Sequence, residues 1–179
     1  STQSTASGIL EKIWVPCDGR TVSTKSGNNM SINNVTGVQN FDGTSYHDCN
    51  GSSITYTPPT GTTLVIYEYA YQQKRWDTHG INHYKFHIDS TEIVNSYYTL
   101  SANQQLEDLN HFKWAINIGG STNNNTGQLA SWGSSRTLVL RGRRYGGSNE
   151  QRIHKTEYSD GTGAQRFHQP CVGVTAIAA

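Results

Sequence analysis

The chain has 179 residues, 34% of them hydrophobic and 15% charged, with a formal net charge of +1. Near-neutral charge argues against binding nucleic acid through a basic stripe, and no apolar run approaches the ~20 residues of a membrane span. Ten tyrosines and four tryptophans in a chain rich in Ser, Thr, Asn and Gly predict many short strands joined by polar loops, not disorder.

A chain of this size is expected to fold as one domain, and a domain of ~150 residues buries roughly 70% of the surface its unfolded chain exposes. Residues 1–8, STQSTASG, read as a flexible arm; they lack the charged and apolar regions of a secretory signal. Ser1 is what removal of an initiator Met would leave, and the chain is expected to be a whole gene product. Residues 9–179 are expected to form a single β-sandwich domain.

ILEKIWVPCDGRTV, residues 9–22, offers a strand, an Asp18-Gly19 turn and a second short strand. Residues 23–53 read as loops, with one strand within 31–41. Then come a short strand at Ile54, the Pro58-Pro59 pair, Gly61 and a long strand from Thr62 to Gln72. Val65, Tyr67, Tyr69 and Tyr71 share one face of it; Leu64, Ile66, Glu68 and Ala70 share the other. Both faces are largely apolar, which predicts a strand that is central or covered on both sides.

HGINHYKFHID, residues 79–89, spaces His79, His83 and His87 four apart. On a helix that spacing would line a metal-binding face. Tyr84, Phe86 and Ile88 instead alternate with His83, Lys85, His87 and Asp89, so the segment is a half-buried strand. On a strand His83 and His87 stand roughly 13 Å apart, too far for one zinc with ligand bonds of ~2 Å. They are expected on a solvent or subunit-contact face. As metal candidates they would need several strands, or several copies around an axis, to complete the site.

STEIVNSYYTLS, residues 90–101, continues as a strand after a turn at Ser90-Thr91. SANQQLEDLN, residues 101–110, is the single helix candidate, about two turns resting on Leu106 and Leu109. Phe112, Trp114, Ile116 and Ile118 alternate strictly and predict a strand; residues 119–128 form a polar loop. LASWGSS (129–135) and TLVLRGRRY (137–145) read as strands broken at Gly133. RIHKTEY (152–158) is a strand closed by Asp160-Gly161, and PCVGVTAIAA (170–179) is the last strand. Roughly nine or ten strands without alternating helices predict an all-β sandwich or barrel. Long return connections favour a jelly-roll β-sandwich, and the absence of a fixed-period repeat argues against a propeller or solenoid.

Cys17, Cys49 and Cys171 show no framework spacing and are expected as free thiols made in a reducing cytosol, with a Cys17–Cys49 bridge as the alternative. The N-x-[ST] sequons at Asn29, Asn34, Asn50 and Asn124 are chance products of an Asn- and Thr-rich chain. No nucleophile elbow, zinc-protease motif, P-loop or dinucleotide fingerprint occurs, so neither enzymatic activity nor a cofactor is expected. Glu68 stands out as a carboxylate among apolar neighbours; it must be paired or protonated, and an ion pair, within the chain or across a subunit contact, is the expected answer. Arg141, Arg143 and Arg144 form the one basic cluster, interrupted by Gly142. They are expected in surface or intersubunit salt bridges, with a phosphate or acidic-glycan site as the alternative. Tyr97, Tyr98, Trp76 and Trp132 lie in or beside loops, where rings serve either burial or sugar stacking.

GTTLVIYEYAYQ, HYKFHIDSTEIV, the Arg-rich turn before YGGSNEQRIHKTEY and the closing VTAIAA give residues 54–179 a likeness to a known family. In these stretches the chain resembles virion accessory proteins of tailed phages, especially those of cyanobacterial and marine phages. The P-x-x-G-T-T-x-V-x-Y-E-Y element from Pro58 to Tyr69 is similar to an early strand of their trimeric jelly-roll domains, which have the tumour-necrosis-factor and complement-head architecture. The resemblance implies a homotrimer on the virion surface, made in the bacterial host cytoplasm, with the last strand near the threefold axis. Val172, Val174, Ala176 and Ile177, with Glu68, Arg141, Arg143 and Arg144, are then the subunit-interface candidates. A capsid decoration (cement) protein that clamps the major capsid protein is the leading expectation. Only about eight residues precede the first strand, and no fibre shaft of heptads or β-helical repeats is visible; the arm would grip the shell. A trimeric tail-fibre or capsid-fibre tip that binds a host-surface receptor or glycan is the alternative.

Overall fold

The computed structural model describes residues 8–75, 80–102, 106–146, 151–157 and 165–179. The strands are β1 (Gly8–Pro16), β2 (Thr21–Val22), β3 (Met30–Ser31), β4 (Gln39–Asn40), β5 (His47–Asp48), β6 (Ile54–Tyr56), β7 (Leu64–Arg75), β8 (Gly80–Ile88), β9 (Thr91–Ala102), β10 (Leu106–Asn117), β11 (Arg136–Arg144), β12 (Gln151–Ile153), β13 (Lys155–Glu157), β14 (Gln165–Phe167) and β15 (Cys171–Ala178). The protein is all-β; among the described residues there is no helix.

Two antiparallel sheets face one another. In the first the order is β1-β15-β7, with β10 on the other edge of β7. β12 continues the β15 edge at Gln73–Arg75 and carries β4 outside it. In the second sheet β8 lies between β9 and β11, and β11 takes β6 and β5 along its far edge. β7 is therefore central, as its two largely apolar faces predict.

Tyrosine rings fill the space between the sheets. Val65, Tyr67, Tyr69 and Tyr71 of β7 are fully buried. Tyr67 meets Phe86 at 4.9 Å between ring centroids, and Tyr84 stacks on Tyr98 at 4.9 Å. A buried hydroxyl without a partner would cost about 1–3 kcal/mol, and each of these finds one. Tyr67 donates to the carbonyl of Ser52, Tyr69 to that of Asn50 (2.7 Å) and Tyr84 to Gln73 Oε1 (2.8 Å). Tyr71 and Tyr98 share a bond of 2.9 Å. The loop between β5 and β6 is held against the core by two of these tyrosines. Trp132 is also buried, its Nε1 donating to the Tyr56 carbonyl at 3.2 Å, so it belongs to the core and offers no sugar platform.

Several expectations are corrected. The helix candidate at 101–110 is strand wherever it is described: Ser101 and Ala102 end β9, and Leu106–Asn110 begin β10. Leu106 to Asn117 pair residue for residue with Arg75 to Leu64, and a ladder of that length outweighs a helix of about two turns, which is marginal alone. The 129–135 segment forms no strand, only the isolated bridges Ile118–Leu129 and Asn123–Gln128 around it. RIHKTEY is split into β12 and β13 by His154, whose φ of 67° leaves the extended region. The β8–β9 hairpin turns at Asp89-Ser90, one residue earlier than expected, with Asp89 at φ 55°. Asp89 holds that turn by accepting from the Thr137 backbone N–H and from Arg136 Nη1, both at 2.9 Å. β1 starts at Gly8; residues 1–7 of the expected arm lie outside the described residues, as do Trp76, His79, Tyr158 and the Asp160-Gly161 turn.

Candidate functional site

With the core between the sheets, the strand residues left to meet other molecules are those on the two outer faces. Pleating decides which they are. In β15 the register Val172–Tyr69, Val174–Tyr67 and Ala176–Val65 turns Val172, Val174 and Ala176 inward, where all are fully buried. These proposed interface residues are used up inside the chain's own core. The alternate set, Gly173, Thr175 and half-buried Ile177, lies outward.

The outer face of the first sheet has Glu68 at its centre. Register places Lys113 opposite Glu68 and His111 one step away. Glu68 Oε1 lies 3.0 Å from Lys113 Nζ and 3.0 Å from His111 Nε2. Trp14 of β1 reaches over Gly173 and stacks on the His111 ring, with centroids 5.2 Å apart. Glu68 is thus paired within the chain. The carboxylate is tied to two side chains of β10, one of which, His111, lies under the Trp14 ring. Around it, apolar side chains stay open: Ile9 is 63% exposed, Leu109 64% and Trp14 40%.

The outer face of the second sheet is aromatic and basic. Arg141 and Arg143 of β11 stand beside Lys85 and His83 of β8. Gly142, between the two arginines, points into the core, where a Cβ would stand 2.8 Å from the Phe41 ring and 2.9 Å from that of Tyr84. Arg141 Nε donates to Asp48 Oδ1 at 2.7 Å, and Lys85 pairs with Glu92 at 2.5 Å. The Tyr46 ring lies 4.1 Å from Lys85 Nζ and 5.2 Å from the Arg143 guanidinium carbon. Arg144 lies opposite the buried Asn82 and faces away from this surface.

His83 and His87 share this face. His83 Nδ1 lies 3.0 Å from Thr99 Oγ1, and its ring meets Tyr145 edge-on at 5.7 Å. Burial and the Arg143 charge lower its pKa. His87 is buried, and burial with the charges of Arg141 and Lys85 lowers its pKa as well. Cations crowd both imidazoles, the opposite of a metal site's electrostatics. Among the described residues no cluster of three or more His, Cys, Asp or Glu is arranged to hold a metal ion.

The three cysteines are free thiols. Burial pushes the Cys17 thiol up to about 12 and that of Cys49 well above its ordinary value. Neither has the thiolate character of a reactive cysteine. The sequence missed the Trp14–His111–Glu68–Lys113 cluster because its members come from three strands; the signal available was Glu68 alone. No protein-family model matches the chain, and no curated protein matches it.

Proposed function

We propose that this chain is a virion surface protein of a tailed phage, working as a homotrimeric jelly-roll sandwich that decorates and clamps the capsid shell. The observation that carries this reading is the outer face of the β1-β15-β7-β10 sheet. Its one central carboxylate is neutralised from within, and it leaves Ile9, Leu109 and Trp14 open to solvent. A second copy would cover those side chains, and burial returns about 25 cal/mol for each Å² of apolar surface removed from water. Obligate interfaces commonly exceed ~2,000 Å².

Strand wiring supports the reading. β1-β15-β7-β10 over β6-β11-β8-β9 crosses between sheets from β6 to β7, β7 to β8, β9 to β10 and β10 to β11, with β8–β9 a hairpin inside one sheet, a wiring compatible with the Greek keys of a jelly roll. That is the architecture of the phage accessory proteins that residues 54–179 resemble. The decoration role, the shell as partner and the virion location rest on that resemblance.

Light scattering on the purified protein tests the assembly. The expected mass is three times the 19.8 kDa of one chain, and Ile9→Glu with Leu109→Glu should dissociate the trimer. A single-chain mass for the unaltered protein overturns it. Copy number per particle then separates the roles: decoration requires many copies on the shell, whereas a few copies per virion would identify a fibre tip.

A further inference from the structure

The second sheet's outer face carries a cation that no described residue neutralises. Arg141 has Asp48, and Lys85 has Glu92. Arg143 has no carboxylate within ion-pair distance among the described residues. One of its guanidinium nitrogens donates to the Arg144 carbonyl at 3.2 Å, and its carbon lies 5.2 Å from the Tyr46 ring. A guanidinium carries five N–H donors in a planar fork suited to an oxyanion, and one hydrogen bond leaves most of that fork unused.

Two further observations lie beside it. His83 Nε2 is buried without a hydrogen-bond partner among the described residues, while its Nδ1 is taken by Thr99. Such a group is relieved by any acceptor oxygen that reaches it. Exposed rings complete the face: Tyr145, 64% exposed, meets His83 edge-on, and Tyr97 is 48% exposed. Open rings on a sheet face, set beside a cation, match the hydrophobic ring face and the charged substituent of an acidic sugar. A nucleic acid would call for several unpaired cations along its backbone, and the described residues of this face supply Arg143 alone.

We propose that this face is a binding site for an acidic saccharide: its sulfate or carboxylate oxygens sit on the Arg143 guanidinium and reach His83 Nε2 by displacing Tyr145, and a sugar ring stacks on the exposed tyrosines. The site is independent of the trimer, because it lies on the opposite sheet from the proposed subunit contact.

Binding is measured by calorimetry on the full chain with a sulfated heparin hexasaccharide, an oligogalacturonate and a neutral dextran oligomer. Solution mass is recorded on the same sample, so loss of assembly and loss of binding are read separately. Binding to at least one acidic oligomer and none to dextran is expected; the two acidic arms tell sulfate from carboxylate recognition. Arg143→Gln should weaken Kd at least tenfold. Lys12→Gln, the same charge change on the other sheet, should alter it less than twofold. Arg143→Lys keeps the charge and the backbone but loses the fork; it should weaken Kd several-fold, which covers misfolding of the glutamine variant. Saturation should raise the His83 imidazole pKa by NMR, because an anion offsets the Arg143 charge. The proposal is overturned if the protein binds neither acidic oligomer, if Arg143→Gln and Lys12→Gln weaken binding equally, or if the His83 pKa is unmoved at saturation.

Discussion

His154 should make the protein acid-sensitive well above the pH at which its carboxylates titrate. The residue joins β12 to β13 at φ 67° and is fully buried. Its backbone N–H donates to the Gln72 carbonyl at 2.7 Å, and its Nε2 lies 2.9 Å from the Asn50 carbonyl oxygen. Burial lowers its pKa to about 4; the bond to Asn50 opposes the shift and the neighbouring His168 adds to it. In the unfolded chain the imidazole titrates near 6.5. Between these values the unfolded chain binds the proton and the folded one does not, so stability is complete above about pH 6.5 and falls as pH drops toward 4. At 1.36 kcal/mol per pKa unit, going from pH 7.5 to 4.5 removes about 2–3 kcal/mol. His154→Asn removes the titration while placing a residue that tolerates φ > 0. Urea unfolding followed by tryptophan fluorescence at both pH values measures the effect. Wild type should lose about 2–3 kcal/mol more than the variant over this interval; the other titrating groups, His83 and His87 included, act in both and cancel. Parallel pH profiles for the two proteins would refute the reasoning.

Two more perturbations probe the packing. A Cβ on Gly173 would stand 1.9 Å from the Ile13 carbonyl oxygen, so Gly173→Ala must push β1 off β15. A loss of about 3 kcal/mol or more is expected in thermal or urea unfolding, whereas Gly133→Ala, with open space around the new carbon, should change stability by less than about 0.5 kcal/mol. Tyr71→Phe and Tyr98→Phe each strand the other's hydroxyl, now bonded at 2.9 Å, at about 1–2 kcal/mol apiece; the double variant should cost clearly less than their sum, because removing both hydroxyls leaves none unpartnered.

What the sequence made legible, and what it did not, follows from where information sits on a strand. Periodicity is local, so Val65, Tyr67, Tyr69 and Tyr71 could be read as one face before any partner was known, and they are the buried face. The direction of a face is not local. In β15 both alternating sets are small or apolar, and only the register of Val174 against Tyr67 decides that Val172, Val174 and Ala176 point inward. Leu106 and Leu109 misled in a related way: their i, i+3 spacing suits a helix and falls on opposite faces of a strand, yet β7, far away in the chain, makes the segment a strand by pairing with both. His154 misled for a different reason: a left-handed backbone at a non-glycine residue leaves no composition signal, and the break it makes between β12 and β13 is held by bonds to Gln72 and His168. The candidate sites are most exposed to this limit. Glu68 was visible as an oddity, but Lys113, His111 and Trp14 reach it from two other strands. Arg143 looked like its neighbours Arg141 and Arg144 until register gave Asp48 to Arg141 and turned Arg144 to the other face. An outer face is written in whichever half of each strand the core does not use, so its chemistry becomes readable only when pairing has assigned the other half.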